Sequence, residues 1–251
     1  MRILGIDPAW TLKNPSGFAL IEQNGDVWQT KDIAPSFSLF CSDQTIQERF
    51  SGKIYGGRFS LKEILEKSGP VDCIVVDMPI STKPFSGRRE ADNAIAKDYG
   101  NAWCATHTPT VAISKFGVEF VSEAEKYGYI LNTNLVETYP HPAILSLIPE
   151  LNKRLTYKVG KRKRYWPEAT PDERRENLYK NLQILRTALS SHINLPKDYN
   201  LSIDAPFALL KSFEDTLDAL VCAWVGIKFM NKQCRAFGDA LSSIWIPKKE
   251  Y

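Results

Sequence analysis

Three short stretches of this chain end in the same way. In "GIDP" (residues 5–8), "IVVDMP" (74–79) and "LVETYP" (135–140) an apolar run stops at one carboxylate, and a proline follows within three residues. Proline lacks an amide hydrogen and cannot continue regular strand pairing, so Asp7, Asp77 and Glu137 each stand where a strand ends. Taken singly, such an acid is an ordinary turn former. If the three strands are adjacent and parallel, however, the acids emerge together at the C-terminal edge of the sheet, where open α/β sheets place their ligands. A carboxylate cluster repels itself and drives its own pKa values upward unless cations compensate it. Divalent metal ions are the natural compensation.

"SFEDTLDALVCAWVGIKFM" (212–230) supplies further acids. Asp215 and Asp218 are three residues apart and share a helix face, a stripe that continues through Cys222, Val225 and Phe229. Leu217, Leu220, Val221, Trp224 and Ile227 form a second apolar stripe, so the helix is expected to be buried on most sides. Asp215 has two readings: with Ser212 three residues before it, it fits a capping box, where an acid suits the helix dipole, or it is a metal ligand. Asp218 lies deeper, between Leu217 and Ala219, where an unpaired buried charge is costly. Metal coordination would remove that cost.

The elements that must position these acids can be read in outline. Residues 2–7, 17–22 and 26–33 read as short strands, with Asn24-Gly25 marking a hairpin, so an antiparallel meander is expected at the N-terminus. "RFSLKEILEK" has helical periodicity, and "VDCIVVDMP" is an unbroken apolar run of the kind found in a central strand covered on both faces. A polar segment, 81–101, leads through helices to "LVETYPHP". Helices are expected at about 171–192 and 213–230, and "SSIWIP" as an edge strand that closes the chain.

The meander beginning "GID", the acid ending a central strand, and "DTLDAL" on a late helix resemble the RNase H-like superfamily, and the DxxDA spacing is similar to that of RuvC-type Holliday junction resolvases. More closely, "GIDPAW", "IVVDMPI", "RREAD", "VETYPHP" and "EDTLDALVCAW" together resemble a family of predicted RNase H-like nucleases known as a domain of unknown function. The resemblance spans Met1 to about Pro247. It implies one domain over 1–251, a five-stranded mixed sheet with helices on both faces, and insertions at about 80–130 and 150–200. It also implies two Mg²⁺ or Mn²⁺ ions: Asp7 would bridge both, Asp77 would bind one, and Asp215 or Asp218 the other. Glu137 matches this family's own strand-end acid but has no secure counterpart in the resolvases. Such a site suits phosphodiester hydrolysis, in which two ions about 4 Å apart activate a water and stabilise the entering and leaving oxygens. Carboxylates are the hard oxygen ligands that Mg²⁺ requires. His141, in "YPHP", is either a structural loop residue or an aid to proton transfer.

"NKRLTYKVGKRKRYWP" (152–167) interleaves Lys158, Arg162, Lys163 and Arg164 with Tyr157, Tyr165 and Trp166. Cations on phosphates and aromatics on exposed bases favour a single-stranded or distorted nucleic acid; the other reading is a solvated basic loop. Near the end of the Asp77 strand, "SGRREADNAIAKDYG" offers Arg88 and Arg89 as phosphate contacts, with Asp92 pairing one of them, on a segment long enough for a mobile lid.

The formal net charge of +3 is too small to identify a nucleic-acid partner without this local clustering. With 251 residues and 43% hydrophobic composition the chain has ample material for a core. It carries neither a bilayer-length apolar run nor the apolar region of a secretory signal, which leads to the expectation of a cytoplasmic protein. Five scattered cysteines without a CxxC pair read as buried thiols. A sugar kinase or actin-type phosphotransferase also places an aspartate after its first strand, but Pro8-Ala9-Trp10-Thr11 follows Asp7 in place of a Gly- and Thr-rich phosphate loop. A non-catalytic nucleic-acid-binding scaffold is the third class.

Overall fold

The structure is a computed structural model, and it describes residues 1–9, 14–51, 54–57 and 60–249. Trp10 and Thr11, which bear on the phosphate-loop comparison, lie outside these residues. The chain begins with the meander β1 (Arg2–Asp7), β2 (Gly17–Asn24) and β3 (Val27–Ala34). The short helices α1 (Phe37–Phe40) and α2 (Ile46–Arg49) and the longer α3 (Leu61–Ser68) lead into β4 (Cys73–Val76). Then come α4 (Glu90–Tyr99), α5 (Val111–Glu125), β5 (Leu135–Glu137) and α6 (Pro140–Leu147). The last third holds α7 (Arg162–Tyr165), α8 (Pro171–Ser190), α9 (Phe207–Met230), β6 (Cys234–Gly238) and β7 (Ser243–Pro247).

The strands form one sheet in the order β3-β2-β1-β4-β5-β7-β6. Strands β1, β2 and β3 are antiparallel, whereas β4 and β5 run parallel to β1. That part is the five-stranded mixed sheet expected from the sequence. The sheet nonetheless has seven strands: β7 pairs parallel with β5, and β6 pairs antiparallel with β7. The "SSIWIP" strand is therefore internal, and the edge is "CRAFG", whose arginine and glycine, with two exposed residues at its centre, weaken any strand pattern.

Alternation along β1, β2, β4 and β5 feeds two cores, and Phe237, Ile244 and Ile246 of β6 and β7 form a third, small one with α4. Ile3, Ala19, Cys73, Val75 and Val136 face α6, α8 and α9, while Leu4, Ile6, Phe18, Ile74 and Val76 face α3 and α5. The four residues of β4 are all buried, as expected of a strand covered on both faces. All five cysteines are free, and four of them are buried. Among the described residues no helix is long and apolar enough to cross a membrane.

Helix α9 is the axis of one layer, with every residue from Ser212 to Ile227 buried. It starts six residues before the expected 213, at Phe207 after Pro206. Ser212 is thus not its cap: the hydroxyl donates to Ala208 O at 3.1 Å, one turn back inside the helix. Glycines set the approach of α9 to the meander. A Cβ on Gly5 would meet the backbone of Ala219 and Ala223, and one on Gly17 would meet the backbone of Asp215. Only a residue without a Cβ permits such contact.

Candidate metal centre and its surroundings

Asp7 is the last residue of β1 and pairs with Gly17, against which Asp215 of α9 is packed. Oxygens of Asp7, Asp215 and Asp218 lie within 4.8 Å of one another. Asp77 stands beside them, because its N–H continues the β4 ladder to Ile6 O at 3.0 Å and so brings the end of β4 level with the end of β1. Asp215 and Asp218 are buried, at 4% and 0% exposure, while Asp7 and Asp77 are half-buried. Among the described residues nothing donates a hydrogen bond to either strand-end carboxylate, and the strongest opposing charge on both is that of Lys158.

Glu214, Lys211, Tyr157 and Lys158 complete this cluster; the sequence reading placed the last two in a basic substrate segment and did not single out the first two. Glu214, 1% exposed, accepts from Val159 N at 2.5 Å. Lys211 reaches Glu214 at 2.9 Å and also binds Asp215. Tyr157 donates to Asp218 Oδ1 at 2.5 Å, while Lys158 binds Oδ2 of the same carboxylate and lies 3.6 Å from Glu214. A signal for two of them exists: Glu214 is four residues before Asp218, and Lys211 is three and four residues before Glu214 and Asp215, so all fall on neighbouring positions of one helix. Their burial was not readable.

Five carboxylates, from Asp7, Asp77, Glu214, Asp215 and Asp218, thus share two ammonium groups. The electrostatics follow. Burial pushes the Asp7 carboxyl well above its ordinary value, and the Asp218 charge adds to the effect. Burial raises Asp77 to about 7 against the opposing charge of Lys158, and raises Asp215 to about 7 against Lys211. Asp218 is raised by burial too, with Lys158 opposing. For Lys158, burial favours the neutral form, but Asp218 and Glu214 outweigh it and keep the ammonium charged. A set of hard, converging, under-compensated oxygens fits a divalent cation such as Mg²⁺.

Glu137 is differently occupied. At 2% exposure it takes the two terminal guanidinium nitrogens of Arg89 at 2.6 Å and the N–H of Ile80 at 2.9 Å. Arg89 also binds Asp92 at 3.0 Å, Ile80 O and Ser242 Oγ. The expectation of Glu137 as a catalytic acid is therefore corrected, since its oxygens are committed to a bidentate buried pair. Arg89, 7% exposed, is corrected likewise: it clamps β5 to α4 and offers nothing to a phosphate. The "RREAD" segment is no free lid, because Asp92 and Arg89 anchor it. Arg88 is exposed, but its nitrogens hold Asn93, Asp92 O and Thr106 O.

The basic segment divides. Lys158 belongs to the acid cluster and is not a surface phosphate contact. Arg162 donates to Val159 O and lies over the Phe207 ring at 4.1 Å, and Trp166 packs half-buried against the core, so both are partly engaged within the protein. Lys163 and Arg164 are exposed on α7. His141 lies in α6 and not in a loop; burial first, then Lys158 and Lys161, hold its pKa well below the ordinary value. It is a neutral imidazole packed between Tyr139 and Tyr157.

A cavity of about 320 Å³ opens beside the cluster, lined by Asp77, Lys158, Lys211 and Glu214 among others.

Comparison with known proteins adds the following. A family model described as "Protein of unknown function (DUF429)" matches residues 5–241. No curated protein matches the chain. Among solved structures the chain is similar to T. thermophilus RuvC in complex with Holliday junction substrate, at 13% identity and a TM-score of 0.37, over 92% of this chain and 95% of that one.

Proposed function

We propose that this chain, which belongs to the DUF429 family of proteins of unknown function, is a metal-dependent nuclease that hydrolyses phosphodiester bonds of DNA or RNA. The observation that carries the reading is the convergence of Asp7, Asp215 and Asp218 within 4.8 Å, beside Asp77, in a cluster with more carboxylates than ammonium groups. Acids kept together against their own repulsion, in a site that also raises their pKa values, are a mark of function more than of stability.

Asp7, Asp77, Asp215 and Asp218 are the residues that would hold Mg²⁺ or Mn²⁺. Bound there, the cations would activate water and stabilise charge on the entering and leaving oxygens of the phosphodiester. The protein's own groups prepare the site. Tyr157 and Lys158 fix both oxygens of Asp218, and Lys211 fixes Asp215 against Glu214. Burial of the α9 acids keeps water from screening their charge. The Glu137–Arg89–Asp92 bracket ties the ends of β4 and β5 together at the wall of the same cavity.

The test is cleavage of a labelled panel of single-stranded, duplex and branched DNA and RNA in Mg²⁺ and Mn²⁺, with chelator and Asp7→Asn as controls. Cleavage that needs both metal and Asp7 supports the reading. Metal-dependent binding without product from any member of the panel overturns it in favour of a non-catalytic scaffold.

A further inference from the structure

We propose, resting on that reading, that a second cavity next to the acid cluster receives one unpaired nucleotide of a single-stranded nucleic acid, its base against Trp103 and Tyr165 and its phosphate on Arg154, Lys161 and Arg164. This cavity has a volume of about 570 Å³, well within the range of small-ligand sites. It shares His107, Tyr139 and Lys161 with the cavity at the acids, so the two are adjacent stretches of one surface trough divided by these side chains. Among the described residues no acidic side chain lines it.

Its groups await an anion and a flat ring. Among the described residues the buried Nε of Arg154 and the buried hydroxyl of Tyr165 have no hydrogen-bond partner, although the guanidinium lies over the Tyr165 ring at 5.6 Å. Buried polar atoms of this kind normally have partners. Lys161, Arg154 and Arg164 each add to the effect of burial in lowering the pKa of His107, which is the signature of positive potential in the trough. Trp103 is 55% exposed and sits at φ 63, a left-handed conformation uncommon for so bulky a residue. The turn after α4 holds it there through Trp103 N to Gly100 O and Arg154 N to Ala102 O, both 2.9 Å. Lys153 covers one face of the indole at 4.3 Å. Cations with aromatic faces are the chemistry of single-strand binding, in which bases stack and phosphates are neutralised. A duplex keeps its bases stacked on one another and cannot offer one to this cavity. Trp166, one of the three aromatics the sequence pattern offered for stacking, is packed half-buried against the core instead.

The experiment is fluorescence anisotropy with labelled oligothymidylate, oligouridylate and a DNA hairpin duplex, on the full chain carrying Asp7→Asn to prevent turnover. Adding Trp103→Ala should weaken single-strand binding about tenfold or more and duplex binding less than twofold. Adding Arg164→Gln, at an exposed position that leaves folding intact, should lower the slope of log affinity against log salt by about 0.7. Unchanged single-strand affinity and salt slope in both variants, equal losses for duplex, or no binding by the parent protein would overturn the subsite. Placing Trp103→Ala in the otherwise native chain separates the two proposals. Lost binding where neither protein cleaves keeps the subsite and removes the nuclease. Full binding with intact metal-dependent cleavage removes the subsite alone.

Discussion

The backbone carbonyl of Asp215 fills the space in which a Cβ on Gly17 would stand, so α9 rests directly on the main chain of β2. Gly17 is also the strand partner of Asp7. One missing side chain therefore sets how close the helix acids come to the strand acid, and it does so through backbone atoms that cannot rotate away.

Gly17→Ala should consequently lower stability by about 1–3 kcal/mol, the usual cost of overpacking, and should also weaken the response to divalent metal. Gly100→Ala is the control, since a Cβ there meets nothing within 4 Å. Denaturant midpoints with and without Mg²⁺ check both effects. Native-like midpoints for Gly17→Ala would show that the layer yields.

Divalent metal should stabilise the protein by relieving the repulsion among Asp7, Asp77, Asp215 and Asp218. Binding to the folded state alone raises stability by about 2.7 kcal/mol at a hundredfold excess over the dissociation constant. Asp7→Asn should raise the melting temperature without metal and abolish the metal-induced rise, and Asp218→Asn should also abolish that rise. A melting temperature indifferent to millimolar Mg²⁺ and Mn²⁺ would count decisively against the centre.

Glu137→Gln should give the opposite pattern. Breaking one partner of a buried pair leaves Arg89 under-compensated and costs about 3–5 kcal/mol, yet the metal-induced rise should survive. Arg89→Lys should not restore stability, because an ammonium cannot replace the bidentate fork. Thermal scans with and without metal distinguish this structural role from that of a ligand.

Without metal, stability should fall as pH rises. Asp77 and Asp215 have folded-state values of about 7, above the unfolded value of about 3.9, so between these limits the folded state binds more protons than the unfolded one. Their contribution is complete below the lower limit and is lost as pH rises through about 7. Asp43, Glu48 and Glu173, whose pKa values are lowered by their partners, contribute stability that is lost only toward acid pH, and the lowered pKa values of His141 and His107 oppose the trend only below the unfolded histidine value of about 6.5. Melting temperature in chelator should therefore decline from pH 5.5 to 8. The rise produced by Mg²⁺ should grow over the same range, since metal competes with the protons.

The sequence by itself determined the meander, the buried central strand, the places where Asp7, Asp77 and Glu137 end their strands, and the shared face of Asp215 and Asp218. Each is a local property: apolar periodicity, a proline that stops pairing, or the rise of a helix. Which strand-end acid stands open and which is committed was decided only by tertiary structure, because Arg89 is 48 positions from Glu137 along the chain and nothing local pairs them. The same holds for Lys158, read from its neighbours as part of a basic surface run but bound to Asp218, 60 positions away. Ser212 and Asp215 fit a capping box by spacing, but the pattern cannot reveal that the helix already began at Phe207. Charge is legible in a sequence, whereas its compensation depends on which distant groups the packed layers bring within hydrogen-bonding distance.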